Sequence, residues 1–162
     1  MKLKKQNNKV AIIMGSQSDH SIMKDCEKIL KILKVKYQVS IVSAHRTPKR
    51  MFDFADKAEK NGFGVIVAGA GGSAHLAGMV ASLTTLPVIG VPIESKKLKG
   101  LDSLLSVNQM PRGVVVATVA IDGAFNAGIL AASIIGNFDE KVKSNLEKWR
   151  RIQTQSIKKR PK

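Results

Sequence analysis

The chain has 162 residues, a length that fits one domain able to bury roughly 70% of its unfolded surface without disulfides or metal. Its single cysteine, Cys26, excludes an internal disulfide and fits a reducing, cytoplasmic compartment, and no His/Cys cluster has metal-ligand spacing. The formal net charge of +15 gathers at the ends: residues 1–10 hold four lysines and no acid, residues 141–162 hold nine basic residues against Glu147, and one Trp and one Tyr offer little to stack on bases, which argues against nucleic acid as the main partner.

Met1 to Lys9 is basic and polar with no apolar run behind it, so no secretory signal is expected. Val10 to Met14 reads as a buried strand, and Ser18-Asp19 opens a helix to about Leu33. Cys26 shares a helical face with Ile22, Ile29 and Leu30 and reads as a packed core thiol. His20 reads as a solvated first-turn residue. Lys36 to Val42 is the second strand. Thr47-Pro48 starts a helix that stops at Asn61-Gly62. Val65 to Ala68 is the third strand, Ala74 to Leu83 a small-residue helix, and Pro87 to Val91 the fourth strand. A short helix from Leu101 to about Val107, a fifth strand over Val114 to Ile121 and a helix from Gly123 to Ile135 follow. Asp139 to about Ile157 is a polar helix with one Trp, a pattern that docks on a neighbouring surface.

Apolar strands alternating with helices predict a parallel sheet covered on both faces. The fold expected is a three-layer α/β/α sandwich, flavodoxin-like, with a parallel five-stranded sheet and an extra C-terminal helix. One domain spans 1–162, with a core over about 10–136 and the basic helix over about 139–157. Gly113 to Gly136 is long enough to cross a membrane, but Asp122, Asn126 and the Asp122-Gly123 turn signal make it a strand and a helix instead.

Three polar loops follow apolar runs, and loops at one end of parallel strands converge on a crevice. In the first, Gly15-Ser16-Gln17-Ser18-Asp19, Gly15 allows a tight turn, and the helix start offers free N–H groups to an anion. Ser16 and Ser18 add hydroxyls. Asp19 either accepts from ribose hydroxyls or serves as a helix cap. The loop lacks the Lys of a phosphate-binding P-loop and the later glycines of the dinucleotide fingerprint. In the second, Ser43-Ala44-His45-Arg46-Thr47-Pro48, His45 can change protonation near neutral pH and Arg46 presents a fork for phosphate or carboxylate. The third, Ala70-Gly71-Gly72-Ser73-Ala74-His75, brings backbone amides close to a ligand, with His75 just inside the next helix. A fourth polar segment, Gly100 to Pro111, shows no reaction role and fits a lid or a subunit contact.

Six motifs stand in one order: Gly-Ser-Gln-Ser-Asp, Ser-Ala-His-Arg-Thr-Pro, Ala-Gly-Gly-Ser-Ala-His-Leu, Leu-Pro-Val-Ile-Gly-Val-Pro, Gly-Leu-Asp-Ser-Leu-Leu-Ser and Gln-Met-Pro-Arg-Gly-Val. From about Val10 to Ile135 the chain resembles the 5-(carboxyamino)imidazole ribonucleotide mutases of purine biosynthesis, in the phosphoribosylaminoimidazole carboxylase family. The resemblance implies an isomerase that is a homo-octamer, with no metal, no nucleotide cofactor and no covalent intermediate. By motif, Ser16, Ser18, Asp19 and Arg46 would hold the ribose phosphate. Ser43, Ala44, Ala70, Gly71, Ser73, His75 and Leu76 would line the base and carboxylate region, and His45 would be the acid/base. The family usually has Pro where Ala77 stands, often Pro at Val115, and Gly or Asn at Asp122. These positions shape backbone away from the reacting groups and bear on loop rigidity.

The implied reaction moves a carboxyl group from an exocyclic nitrogen to the neighbouring ring carbon. The nearest rival is direct carboxylation of aminoimidazole ribonucleotide by carbon dioxide. That branch tends to read His-Lys-Gly-Pro in the second loop, where this chain has His45-Arg46-Thr47-Pro48. A non-catalytic binder of phosphoribosyl ligands or flavin mononucleotide, and an RNA-binding module using the basic ends, are rivals of other classes.

Overall fold

The computed structural model describes residues 7–160; the stretch 1–6, with Lys2, Lys4 and Lys5 of the basic N-terminal end, and residues 161–162 lie outside the described part. The aliphatic runs make five strands: β1 (Lys9–Met14), β2 (Lys36–Ile41), β3 (Phe63–Gly71), β4 (Val88–Ile93) and β5 (Ala117–Thr118). They pair in parallel in the order β2-β1-β3-β4-β5. This is the doubly wound flavodoxin-like order, whose switch point lies between β1 and β3. β1, β3 and β4 are buried on both sides, and the edge strand β2 alternates.

One face of the sheet carries α1 (His20–Ile32) and α5 (Ala124–Gly136), which join Met23, Ile29, Leu30, Ala127, Ala131 and Ile135 to Val10, Ile12, Val65 and Val67. The other carries α2 (Pro48–Lys57), α3 (Leu76–Ala81) and α4 (Leu101–Asn108), whose Met51, Leu76, Val80 and Val107 cover Ile13 and Ile66. α5 sits close to α1 because Gly128 has no side chain: a Cβ there would run into Ile29 Cγ2 and stand 3.2 Å from the Cys26 carbonyl oxygen. Burial pushes the Cys26 thiol up to about 12, with the charge of Glu27 adding to it, so this is a packed core thiol.

The last helix, α6 (Glu140–Ser156), docks on its own chain. Val142 and Leu146 are buried, Trp149 packs on Phe125 of α5 with ring centroids 6.0 Å apart, and Asn145 Nδ2 donates to the Leu33 carbonyl at 3.0 Å. Asp139 caps it, accepting from the N–H groups of Lys141 and Val142.

Several features differ from the sequence reading. β5 pairs over two residues, against an expected span of Val114 to Ile121, and Val115 is exposed. Pro92 of β4 gives the cause at the C-terminal end. Its carbonyl accepts from Asp122 N–H at 2.8 Å, but it has no N–H to return, so the ladder stops after Thr118. β3 runs on through Ala70 and Gly71 because β4 continues to Ile93 and pairs with them. His20, expected in solvent, holds Glu27 at 2.8 Å, two turns along α1. Gly113 to Gly136 splits at Asp122-Gly123 into β5 and α5, and no helix among the described residues is long and apolar enough to cross a membrane.

Candidate functional site

The ends of β1, β2, β3 and β4 open into one cleft of about 360 Å³. Its walls include Ser16, Ser18, Asp19, Ser43, Ala44, His45, Arg46, Ala70, Gly71, Ser73, His75 and Leu76, so the fold brings together every residue singled out from the three loops. Gly15, Gly72, Glu94 and Ser95 complete the lining.

The first loop is tied to itself and to the sheet. Asp19 Oδ2 accepts the Ser16 N–H at 2.9 Å, as one half of a capping box, and Ser16 and Ser18 share a short hydroxyl hydrogen bond. Gly15 N–H donates to the Gly69 carbonyl at 3.3 Å. Asp19 therefore fixes the loop while one of its oxygens stays on the open side, reached by Ser18 Oγ at 3.4 Å. Asp19 organises the turn and lines the cleft.

The second loop is held by Ser43 and Thr47. Thr47 Oγ1 accepts from the Ser43 N–H at 2.9 Å and donates to the Ser43 carbonyl at 3.1 Å. Ser43 Oγ accepts from the Arg46 N–H at 3.2 Å. The guanidinium reaches across the cleft mouth: Arg46 Nη2 donates to the Gly15 carbonyl at 2.7 Å, and Nε approaches Ser43 Oγ at 3.4 Å. Arg46 thus joins the first loop to the second and keeps its Nη1 amine for an anion.

His45 meets His75 edge-on. Their nearest nitrogens, His45 Nε2 and His75 Nδ1, are 2.9 Å apart, with the rings at 84°. This bond needs one donor and one acceptor nitrogen, so it survives with both rings neutral or with one protonated, and is lost when both are. His75 stands at the N-cap of α3, and no cap hydrogen bond occupies its side chain. The turn before it passes through Gly72, whose φ of +63° is a region other residues rarely adopt. An exposed, coupled imidazole pair beside a guanidinium and a row of hydroxyls can bind an anionic ligand and exchange protons with it.

Glu94 and Ser95 are missing from the sequence reading. They directly follow β4, so the rule that found the other three loops, a polar pair after a buried strand, also picks them out once the strand is carried to Ile93. The Asp122 departure reaches this wall. Asp122 has φ of +56°, a left-handed position that suits Gly or Asn and that Asp tolerates. Its Oδ1 accepts the Glu94 N–H at 2.9 Å, so it bears on the cleft directly rather than from afar.

The family model described as AIR carboxylase matches residues 9–156. N5-carboxyaminoimidazole ribonucleotide mutase of Pyrococcus horikoshii is 51% identical over 160 residues, covering 99% of this chain and 90% of that protein. The protein of the same name from Thermotoga maritima is 58% identical over 147 residues, covering 88% and 86%. The crystal structure of Treponema denticola PurE superposes with a TM-score of 0.85 at 28% identity, covering 92% of this chain and 93% of that one.

Proposed function

The chain belongs to the AIR carboxylase family, and on that premise we propose that it is a purine-biosynthesis isomerase, converting 5-carboxyaminoimidazole ribonucleotide to 4-carboxy-5-aminoimidazole ribonucleotide. The observation that carries this is the His45–His75 pair at 2.9 Å in a cleft also lined by Arg46, Ser16 and Ser18.

In this reading Ser16, Ser18 and Arg46 hold the phosphate, and Asp19 accepts from ribose hydroxyls. Ser43, Ala44, Ala70, Gly71, Ser73 and Leu76 surround the base and the migrating carboxyl group. His45 gives a proton to the carbamate nitrogen. The N–C bond breaks and carbon dioxide leaves an amine whose electrons enrich the neighbouring ring carbon. Held in the cleft, carbon dioxide meets that carbon before it escapes, a proximity effect. The new carbon–carbon bond forms, and His45 takes the ring proton back, so protons balance over the cycle. His75 sets which nitrogen of His45 carries the proton at each stage. The site is proposed to work in the cytoplasm within a homo-octamer. The exposure of Leu98, Leu101, Leu105 and Val115 beside α4 and β5 supports burial against other copies.

The test uses purified protein, the carbamate ribonucleotide and labelled bicarbonate, without ATP. Rapid formation of ring-carboxylated product with little label from solution is the expected result. Product made only from the decarboxylated amine and high bicarbonate, fully labelled, identifies a direct carboxylase. No product in either assay leaves a binder of phosphoribosyl ligands.

A further inference from the structure

We propose that Ser95 is a further substrate contact, its hydroxyl oxygen accepting a hydrogen bond from the exocyclic amine of the ribonucleotide, and that Asp102 is its positioning residue. The proposal rests on the mutase reading above.

Ser95 lines the cleft and is half-buried. Its hydroxyl donates to Asp102 Oδ1 at 2.8 Å. That bond, followed by those from Ser103, holds the Asp102 carboxyl below the usual carboxylate range, so near neutral pH Asp102 only accepts. The single proton of Ser95 is therefore committed, and toward the cleft its oxygen can only accept. One of its lone pairs is taken by a long contact from the Leu98 N–H at 3.4 Å, and one stays available. Ser43 is set the other way: its Oγ accepts from two Arg46 groups, so its own proton is free to donate. Ser16 and Ser18 bond each other, and either can be the donor. The cleft thus holds hydroxyls of different polarity, and the Asp102 carboxylate sets Ser95 as an acceptor.

The surrounding backbone is fixed for this role. Ser103 Oγ donates to the Ile93 carbonyl two residues before Ser95. Asp122 Oδ1 holds the Glu94 N–H at 2.9 Å. α4, which the sequence reading gave no reaction role, orders this wall. The strand order then says which end of the ligand Ser95 meets. With the phosphate on the loops after β1 and β2, the ligand runs across β3 toward β4, and Ser95 lies at the base end. The exocyclic amine there has protons to donate and needs an oxygen to receive them, and the same contact would keep the nitrogen turned toward its ring carbon during transfer.

The experiment is calorimetric binding of two probes, 5-aminoimidazole ribonucleotide and ribose 5-phosphate, with turnover measured alongside. Ser95→Ala is expected to weaken the amine-bearing probe about tenfold and to leave ribose 5-phosphate within about twofold. Ser95→Thr should recover most of the loss. Asp102→Asn is expected to weaken the amine probe about three- to tenfold in the native chain and to add almost nothing in the Ser95→Ala chain, because it acts through that hydroxyl. Equal weakening of both probes, additive effects of the two substitutions, or an unchanged affinity each overturns the proposal. Turnover by the native chain separates the two readings. If it is present and Ser95→Ala changes neither binding nor rate, this proposal alone falls; if it is absent, the mutase reading falls and takes this proposal with it.

Discussion

The cleft edge of the sheet and the layer where α1 meets α5 are built from opposite materials. At the edge His45, Arg46 and His75 are exposed and held by hydrogen bonds to neighbouring loops. In the layer Met23, Cys26, Ile29, Ala127 and Ala131 are fully buried and held by shape, with Gly128 setting how closely the helices approach. Little apolar surface is hidden at the edge, so its side chains contribute little to folding and are free to serve chemistry. The layer hides a great deal and stands outside the cleft lining. On the proposed reading activity and stability occupy different residues, and substitutions should separate them.

His45→Asn is the sharpest way to break that separation, and should carry the largest effect. Asn keeps a polar group of similar reach but cannot trade a proton near neutral pH. Turnover should fall at least about a hundredfold, the low end for a lost general acid/base. The thermal midpoint and the affinity for ribose 5-phosphate should stay near native values. Turnover within tenfold of native removes His45 from the acid/base role.

Gly128→Val tests the other side. The added branches meet Ile29 Cγ2 and the Cys26 backbone, and neither can yield without parting α1 from α5. Overpacking of this kind costs about 1–3 kcal/mol. Denaturant midpoints should drop accordingly, while turnover per folded molecule stays native. A large loss of turnover in the folded fraction would show that the layer and the cleft are coupled after all.

The same contrast explains what could be read from the sequence. The layer is legible because burial on both sides of β1, β3 and β4 leaves uninterrupted aliphatic runs, and Ala-Gly spacing marks α5. The loops are legible because glycine, serine and histidine after such runs break the pattern sharply. The end of β5 is not, since Val119, Ala120 and Ile121 look like strand residues and the reason they do not pair lies in Pro92 on another strand. Glu94 and Ser95 were hidden by ending β4 at Val91, two residues short of where it stops. The Ser95–Asp102 bond joins residues seven apart through a loop and a helix start, and no periodicity encodes that.

Asp139 sharpens the comparison at its smallest scale, because it resembles Asp102 in chemistry and differs in task. Its carboxyl is held below the usual range chiefly by the Val142 N–H at the start of α6, with Asn8 and Lys141 adding to this. A carboxylate lowered on folding stabilises the fold fully above its unfolded value, and that share is lost as pH falls through the lower, folded value. Asp139→Ala should therefore cost about 1 kcal/mol at neutral pH, the usual worth of an aspartate cap. In acid below the folded value, the difference from the native chain should shrink. Asp139→Asn should retain much of the cap and show less of the pH dependence. Since α6 docks on α5 and stands outside the cleft lining, turnover per folded molecule should not move in either variant. Urea midpoints at neutral and acid pH, read beside turnover, decide it. A loss of equal size at both pH values would mean that Asp139 serves by packing and by its contact with Asn8, and that its charge contributes nothing to the cap.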